Sequence, residues 1–309
     1  MSKHRHRIRF RHLHGIMLLD KPAEVSSSQA LQTVRLLLRA AKGGHAGALD
    51  PLATGLLPLC FGEATKLAHN LLGSRKAYLA ECSLGVTTTT GDREGEIVSC
   101  CDVPEFSDEQ LEAVLARFRG RIVQVPPVYS ALKQDGERLY VKARRGDAVE
   151  VPPREVDVFS LECRERTAHT LKLYVECGSG TYIRSLATDL GEALGCGAHL
   201  ASLHRLWVEP FHEPAMVTLD QLQEAAEQGD AALLRWLLPI EAGLAGLPML
   251  RLDAAQSLAV TQGRQIVLEH PAEPGKCALQ ADDGRLLALV ERDDSGRISI
   301  LRGFNLPPP

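Results

Sequence analysis

The run from Gly44 to Gly55 constrains the fold more than any other segment of this chain. Its glycines permit tight turns and close backbone approach, and Pro51 lacks a backbone donor, so the run predicts a loop. A single carboxylate, that of Asp50, lies inside it. Loops on a rigid scaffold commonly carry chemistry, whereas an isolated Asp-Pro pair is ordinarily a turn or a helix cap. Asp50 is therefore a candidate whose role depends on the rest of the sequence.

Length and composition are those of a globular protein. The chain has 309 residues, 45% of them hydrophobic and 24% charged, which favours two domains with substantial cores. No apolar run is long enough for a membrane span, and the Arg- and His-rich N-terminus lacks the apolar stretch of a signal peptide. The eight cysteines include no Cys-x-x-Cys pair, so we expect reduced thiols in the cytoplasm instead of disulfides or zinc.

The charge is unevenly distributed. The net charge is −4, yet residues 1–14 form a basic arm with five Lys and Arg and no acid. A second basic stretch runs from Lys133 to Arg145. Attraction to phosphate is local because salt screens charges beyond roughly 8 Å. The pattern permits RNA binding, and the arm can equally be a solubilising tail.

Periodicity and caps predict a mixed α+β core with a largely antiparallel sheet and flanking helices. Helices and strands interleave without a regular βαβ repeat, which argues against a doubly wound sheet. The predicted strands are Lys76 to Val86, 155–165 and 169–177, the last two as neighbours. The predicted helices are one capped by Ser26 with Gln29 that stops at Gly43-Gly44, one from Glu63 to Leu72, one capped by Ser107 that ends at Phe118, and one from Thr181 to Leu194.

Past about residue 248 the pattern changes to short apolar runs separated by turns. The turns Asp282-Asp283-Gly284 and Asp294-Ser295-Gly296 alternate with runs at 277–279, 286–290 and 298–301. This spacing predicts a small β-rich module over 248–309.

Several blocks along the chain resemble the TruB family of pseudouridine synthases. The Gly44–Gly55 run resembles the loop in which that family carries its nucleophilic Asp. One departure is Glu24, where the family usually has Gly. The other matching blocks, in order, are Leu19-Asp20-Lys21-Pro22, Gly62-Glu63-Ala64-Thr65-Lys66, Thr88 to Gly95, Tyr129-Ser130-Ala131-Leu132-Lys133 and Gly180-Thr181-Tyr182-Ile183-Arg184.

The resemblance implies a fold and a domain order. We expect the pseudouridine synthase fold over 15–247, with an RNA-clamping insertion at about 124–153, followed by a PUA-like RNA-binding domain over 248–309. It implies isomerisation of uridine 55 in the T-loop of tRNA, with the target base flipped out of the folded RNA. The reaction moves no electrons and needs no cofactor or metal, and no nucleotide fingerprint or metal-ligand spacing occurs in the sequence.

The resemblance also implies the site residues. Asp50 is the expected nucleophile, which can attack C6 of the base or C1′ of the sugar. Arg184 is expected to pair with Asp50, and Tyr78 to stack on the base. His45 is expected to fill the vacated stack. The further positions expected to bind substrate are Lys21, Tyr182 and Leu203.

Two other hypotheses about the function are open. An RNA-binding or tRNA-folding chaperone would keep the basic surfaces but need not keep Asp50, Tyr78 and Arg184 together. A guide-dependent rRNA synthase is the other, and the clamp-like insertion and the Gly62–Lys66 block favour a stand-alone enzyme over it. We therefore expect a cytoplasmic monomer that acts on the T-arm of tRNA, without a membrane, an obligatory protein partner or a guide RNA.

Overall fold

A computed structural model describes residues 9–68, 71, 75–130, 132–134, 136–145, 147, 149–264, 266–267 and 273–307. Strands and helices are interspersed along these residues. The strands are β1 Gly15–Lys21, β2 Gly43–His45, β3 Thr54–Phe61, β4 Lys76–Leu84, β5 Val86–Thr88, β6 Ile97–Cys100, β7 Gly120–Gln124, β8 Lys133–Gln134, β9 Glu137–Arg138, β10 Arg154–Arg166, β11 Thr170–Cys177, β12 Ala198–Val208, β13 Met249–Leu252, β14 Gly275–Ala281, β15 Leu286–Arg292 and β16 Ile298–Gly303. The helices are α1 Ser27–Leu37, α2 Asp108–Ala116, α3 Leu139–Arg144, α4 Ile183–Ala193, α5 Leu219–Glu227, α6 Asp230–Leu234 and α7 Ala254–Thr261, with 3-10 turns at Gly62–Leu67 and Ile240–Leu244.

An eight-stranded sheet forms the centre of the molecule, in the order β1-β3-β12-β4-β11-β10-β7, with β2 also paired to β3. All of these pairings are antiparallel except that of β12 with β3. The predicted α+β class with a largely antiparallel sheet is therefore confirmed. The predicted neighbours β10 and β11 do pair, with Leu161 opposite Val175.

The alternation predicted for β4 is present in the sheet. Tyr78, Ala80, Cys82 and Leu84 are buried in one core cluster. The same cluster contains Leu49, Leu52 and Ala53 from the Asp50 loop, and Ile183 and Leu186 from α4. Burial of these apolar side chains thus holds loop, strand and helix against each other.

The two helices with predicted caps begin where the caps placed them, but their predicted ends are less accurate. Capping boxes are present at Ser26 with Gln29 and at Ser107 with Gln110. The first helix ends at Leu37 and not at Gly43, because Arg39 takes a left-handed conformation with φ 51°. Within the helix predicted from Glu63 to Leu72, the Gly62–Leu67 segment is a 3-10 turn, and residues 69, 70 and 72 lie outside the described residues.

Part of the basic arm belongs to the folded body. The backbone N–H of Arg11 donates to the Arg39 carbonyl at 2.8 Å, and the Arg11 guanidinium pairs with Asp230 at 2.6 Å. Asp230 also pairs with Arg39 at 2.8 Å. The interpretation of the arm as a solubilising tail is therefore wrong from Arg11 onward, and residues 1–8 lie outside the described residues.

The predicted C-terminal β-rich module is a four-stranded sheet in the order β13-β14-β15-β16. Its Ala278, Leu286 and Phe304 share a buried cluster with Ala64 and Leu67 of the first 3-10 turn. This apolar contact joins the module to the central sheet. In the part of the chain that the structure describes, no helix has the length and apolarity of a membrane span.

Glu63 and Lys66 reinforce that contact with charge. The Glu63 carboxylate accepts from the Lys66 ammonium at 2.5 Å and from the Asn305 backbone N–H at 2.7 Å. The Lys66 ammonium also donates to the Gly303 carbonyl at 2.7 Å. The Gly62–Lys66 block therefore ties the chain that follows β16 to the body.

We predict that Glu63→Gln lowers the free energy of unfolding by about 1 kcal/mol at neutral pH, because a partly exposed charged contact is worth about that much. Burial raises the pKa of the Glu63 carboxyl, but the Asn305 amide and the Lys66 ammonium outweigh it, so the pKa is lowered. The stabilisation is therefore complete above the ordinary Glu pKa of about 4.3 and is lost as pH falls through the folded-state value. Urea unfolding at neutral and acidic pH measures it.

The exposed Glu291→Gln serves as the control, since Glu291 lies on the outer side of β15. A difference between Glu63→Gln and the parent that persists unchanged at acidic pH would contradict the assignment.

Candidate functional site

The Asp50 loop is anchored at several points to the preceding helix and strand. The Ser27 hydroxyl donates to the Leu49 carbonyl at 3.0 Å and accepts from the Leu49 N–H at 2.8 Å. The Ala53 N–H donates to the Asp50 carbonyl at 3.0 Å. The ends of the predicted loop run are strand, since His45 belongs to β2 opposite Leu59 and Thr54 begins β3.

Lys21 supports the same loop from the interior of the protein. Its side chain is fully buried, and its ammonium donates to the carbonyls of Pro22 at 2.7 Å, Val25 at 2.6 Å and Pro51 at 3.3 Å. Burial lowers the pKa of Lys21 to about 8, and the nearby Asp50 opposes that shift. The ammonium is thus directed at the backbone around Pro51.

Glu24, the one departure from the family pattern, keeps the turn that a glycine would make. It adopts a left-handed conformation with φ 65°. That conformation costs a residue with a side chain roughly 1–2 kcal/mol. The Glu24 N–H donates to the Pro51 carbonyl at 2.8 Å, so the turn still supports the loop.

A cavity of about 630 Å³ opens beside Asp50. Its walls come from the Asp50 loop, from the adjacent strands β4 and β12, from the segment before α4, and from the insertion through Ser130 and Leu132. We call its side chains on β4 and β12 the strand wall, which consists of Lys76, Tyr78, Leu203 and Arg205. The cavity brings together Asp50, Tyr78, Tyr182, Arg184 and Leu203 of the predicted site, whereas Lys21 and His45 lie outside its lining.

Arg184 is the charged partner of Asp50, as the sequence predicted. Its Nε lies 2.9 Å from Asp50 Oδ2, and its Nη1 lies 3.4 Å from Asp92 Oδ2. The guanidinium also donates to the Thr90 carbonyl at 3.1 Å and to the Tyr129 carbonyl at 2.8 Å. The Arg184 side chain is 5% exposed, against 44% for Asp50. The buried Arg184 guanidinium therefore forms the floor of the site, and the Asp50 carboxylate faces the cavity.

The pKa of Asp50 reflects this position. Burial by the surrounding walls raises the pKa of the carboxyl, although its oxygens open into the cavity. Arg184 and Lys21 lower it, and Asp92 raises it further. The two cations favour the ionised form but do not outweigh burial, so the pKa of the Asp50 carboxyl is raised on balance.

Tyr78 and Arg205 face each other across β4 and β12, where they are register partners. Tyr78 is 7% exposed, and burial raises the pKa of its hydroxyl to about 12. Arg205 is 1% exposed and donates to the Leu56 carbonyl at 2.7 Å and the Gly47 carbonyl at 2.9 Å. Gly47 has φ 74°, and a side chain there would meet the Arg205 guanidinium at 3.1 Å. The loop glycine is thus required for this close approach.

Tyr182 is positioned by contacts to its backbone and its ring. The buried Gln124 amide donates to the Tyr182 carbonyl at 3.0 Å and accepts from the Tyr182 N–H at 2.8 Å. The Arg154 guanidinium lies 5.0 Å from the centre of the Tyr182 ring and also contacts the Gly180 carbonyl. Both supporting residues come from the edge of the sheet, where Arg154 pairs with Gln124.

One basic residue of the insertion, Arg145, is paired with acids of the same segment. Arg145 pairs with Glu137 at 2.8 Å and with Asp147 at 2.5 Å. The insertion contributes to the site through the Tyr129 carbonyl, which binds Arg184, and through Ser130 and Leu132 in the cavity wall.

Sequence reasoning missed four buried polar residues of the site: Lys76, Asp92, Gln124 and Arg205. A signal existed for Arg205, because it shares a strand face with Leu203 at a spacing of two. Asp92 lay in a recognised block without an assigned partner. Gln124 had no signal, since its partner is 58 residues away. Across the residues that the structure describes, no group of His, Cys, Asp and Glu could hold a metal ion.

Comparisons with known proteins decide the family. A profile described as TruB family pseudouridylate synthase (N terminal domain) matches residues 35–183, and one described as tRNA pseudouridylate synthase B C-terminal domain matches 184–245. The chain belongs to the TruB family. It is 56% identical over 299 residues to "tRNA pseudouridine synthase B" of Xanthomonas euvesicatoria pv. vesicatoria (strain 85-10), covering 97% of this chain and 96% of the relative.

A second relative supports TruB membership, and a solved structure supports the fold. The protein of the same name from Ectopseudomonas mendocina (strain ymp) is 47% identical, with 94% of each chain covered. The structure "Crystal Structure of a Cbf5-Nop10-Gar1 Complex" matches with a TM-score of 0.73 at 24% identity, covering 94% of this chain and 84% of that chain. At this identity the match supports the fold alone. The pseudouridine synthase fold predicted from the TruB resemblance is confirmed.

Proposed function

We propose that this chain converts uridine 55 in the T-loop of tRNA to pseudouridine, with Asp50 as the nucleophile. The observation that carries the proposal is the ion pair between Asp50 and the buried Arg184, at the edge of a cavity lined by Tyr78 and Tyr182. TruB membership and the tRNA-specific names of its relatives support the substrate.

The reaction fits a site built from protein side chains. It breaks the N-glycosidic bond, turns the uracil and reattaches it through C5, so that no atom is gained and no electron is transferred. A carboxylate that attacks C6 or C1′ divides one difficult step into easier ones. Arg184 favours the ionised form of Asp50 beside a buried base, since a nearby cation offsets part of the effect of burial, which raises the pKa of the carboxyl.

The other residues bind or position the substrate. The target base must leave the stack, which costs a few kcal/mol, and stacking on the Tyr78 ring offsets part of this. Tyr182 and Leu203 form further walls for the base. Lys21 acts through the backbone of Pro51 and is a positioning residue. His45, the last residue of β2, fills the gap that the flipped base leaves in the RNA.

The partner is tRNA through its T-arm, and the enzyme acts as a cytoplasmic monomer without a guide RNA or protein partner. The PUA-like module over 248–309 and the insertion at 124–153 extend the RNA contact. Incubating the purified protein with an unmodified tRNA transcript and mapping pseudouridine tests this directly. Modification elsewhere than in the T-loop, or only with added RNA or protein, would overturn it. Catalysis separates this proposal from an RNA-folding role.

Asp50→Asn should abolish turnover while preserving the fold and much of the tRNA affinity. The change is nearly isosteric, and Arg184 keeps Asp92 and two carbonyl partners. Tritium release from uridine labelled at C5 measures turnover, filter binding measures affinity, and the exposed Asp102→Asn is the control. Multiple turnover by a clean Asp50→Asn preparation would remove Asp50 as the nucleophile.

Tyr78→Leu should nearly abolish turnover without a large loss of stability, because it keeps apolar bulk and removes the stacking face. Tyr78→Phe keeps the ring and reports on the hydroxyl alone: a reduced rate assigns proton handling to it. Melting temperature and single-turnover rate are measured on the same samples. If activity falls only in proportion to unfolded protein, Tyr78 is a core residue and not a stacking partner.

Removing residues 1–8 should weaken tRNA binding and flatten its dependence on salt, because Lys3, Arg5 and Arg7 are lost. Each lost phosphate contact reduces the slope by about 0.7–0.9. The cut is placed before Arg11 because Arg11 pairs with Asp230 in the folded body. A full-length chain with the three cations changed to Ser separates charge from length. An unchanged slope would show that these residues do not contact RNA.

A further inference from the structure

Arg154 differs from the other cations that line the cavity. Lys76, Arg184 and Arg205 are buried. Arg154 lines the same cavity but is partly exposed. Its described partners are one carbonyl and one aromatic ring, so it has no carboxylate partner among the residues that the structure describes. Arg154 is therefore a cation of the cavity that an anion from solution can reach.

The sheet holds Arg154 on the cavity side. Arg154 begins β10, where it pairs with Gln124 of the edge strand β7. Val156 and Val158 follow at a spacing of two and are buried, so the three side chains occupy one face. Gln124 binds both backbone groups of Tyr182, whose ring centre lies 5.0 Å from the Arg154 guanidinium. The sheet edge thus positions the cation and the ring together.

The Arg154 guanidinium keeps donors for a further acceptor. One of its terminal nitrogens contacts the Gly180 carbonyl, and the guanidinium lies against the Tyr182 ring. Its buried Nε has no hydrogen-bond partner in the described part of the chain. Stacking on a ring occupies the face of a guanidinium and leaves its N–H edge, which can bind a phosphate through two parallel hydrogen bonds.

Resting on the proposed function, we propose that Arg154 binds a backbone phosphate that flanks the target uridine. The ribose separates the base of a nucleotide from its phosphates. A uracil stacked on Tyr78 of the strand wall therefore leaves its phosphates nearer the solvent, where Arg154 is exposed. A phosphate contact of this kind fixes the register of the RNA, whereas contacts to the base select the nucleotide.

The first test measures the affinity of the full-length protein for a synthetic T-arm hairpin RNA at several salt concentrations. Arg154→Gln should bind about tenfold more weakly, because a charge-assisted hydrogen bond is lost. The slope of log affinity against log salt should fall by about 0.7–0.9, the value for one phosphate contact. Arg154→Lys keeps the charge and should keep the slope. Arg121→Gln is the control, since Arg121 pairs with Asp157 at the same sheet edge and does not line the cavity.

A second test identifies the phosphate. Hairpins carry a neutral methylphosphonate on the 5′ side of the target uridine, on its 3′ side, or at the far end of the stem. The nucleotide before each neutral linkage is 2′-deoxy, and the reference hairpin has the same deoxy nucleotide with an ordinary phosphate. The parent protein should lose about tenfold in affinity at one flanking position, and Arg154→Gln should lose less than about twofold there, because the contact is already absent.

A saturating rate separates binding from a structural role. With saturating uridine hairpin, the single-turnover rate of Arg154→Gln should stay within about twofold of the parent, because the phosphate is bound equally before and during the reaction. A residue that only held Tyr182 in place would lower this rate and leave the salt slope unchanged, and that result would overturn the proposal.

Equal losses by the parent and Arg154→Gln at both flanking positions would also overturn it, as would a parent that tolerates both neutral linkages. If Arg154→Gln folds poorly, Arg154→Met is measured in its place. Failure of the proposed function is distinguishable, because the parent would then bind the hairpin without converting its uridine. The coupling between Arg154 and the phosphate would still be measured from affinity.

Discussion

The ion pair between Arg184 and Asp50 depends on four separate segments of chain. Arg184 comes from the first turn of α4, and its partners are Asp50, the Thr90–Asp92 turn and Tyr129 of the insertion. A guanidinium that is 5% exposed is tolerated when its charge is paired, since an unpaired buried charge costs several kcal/mol. The same contacts that satisfy Arg184 therefore hold three loops in place around the cavity.

The support of the Asp50 loop shows how backbone and chemistry are linked. Lys21 and the Glu24 N–H both bind the Pro51 carbonyl, one residue beyond Asp50. Ser27 binds Leu49, one residue before it. The left-handed Glu24 costs roughly 1–2 kcal/mol, a strain that persists because the turn around it is fixed on both sides.

Much of this architecture could be predicted from local sequence. Capping boxes, the alternation of β4 and the turns after residue 248 are local signals, and the structure contains the corresponding elements. Helix ends were harder, because Arg39 in a left-handed conformation ends α1 without a glycine. The pairing of Asp50 with Arg184 was predicted from the resemblance to the TruB blocks. Gln124 and Arg205 were missed because their hydrogen-bond partners are distant in the sequence, Tyr182 for Gln124 and Leu56 and Gly47 for Arg205.

The charges around Asp50 have opposing effects on the pKa of its carboxyl. Burial has the largest effect and raises the pKa of Asp50. Asp92 raises it further, yet Asp92 also holds Arg184, which lowers that pKa more strongly than Asp92 raises it. Lys21 lowers it as well. The two cations are fixed by carbonyls and by a second carboxylate, so folding alone sets the field that opposes the effect of burial on Asp50.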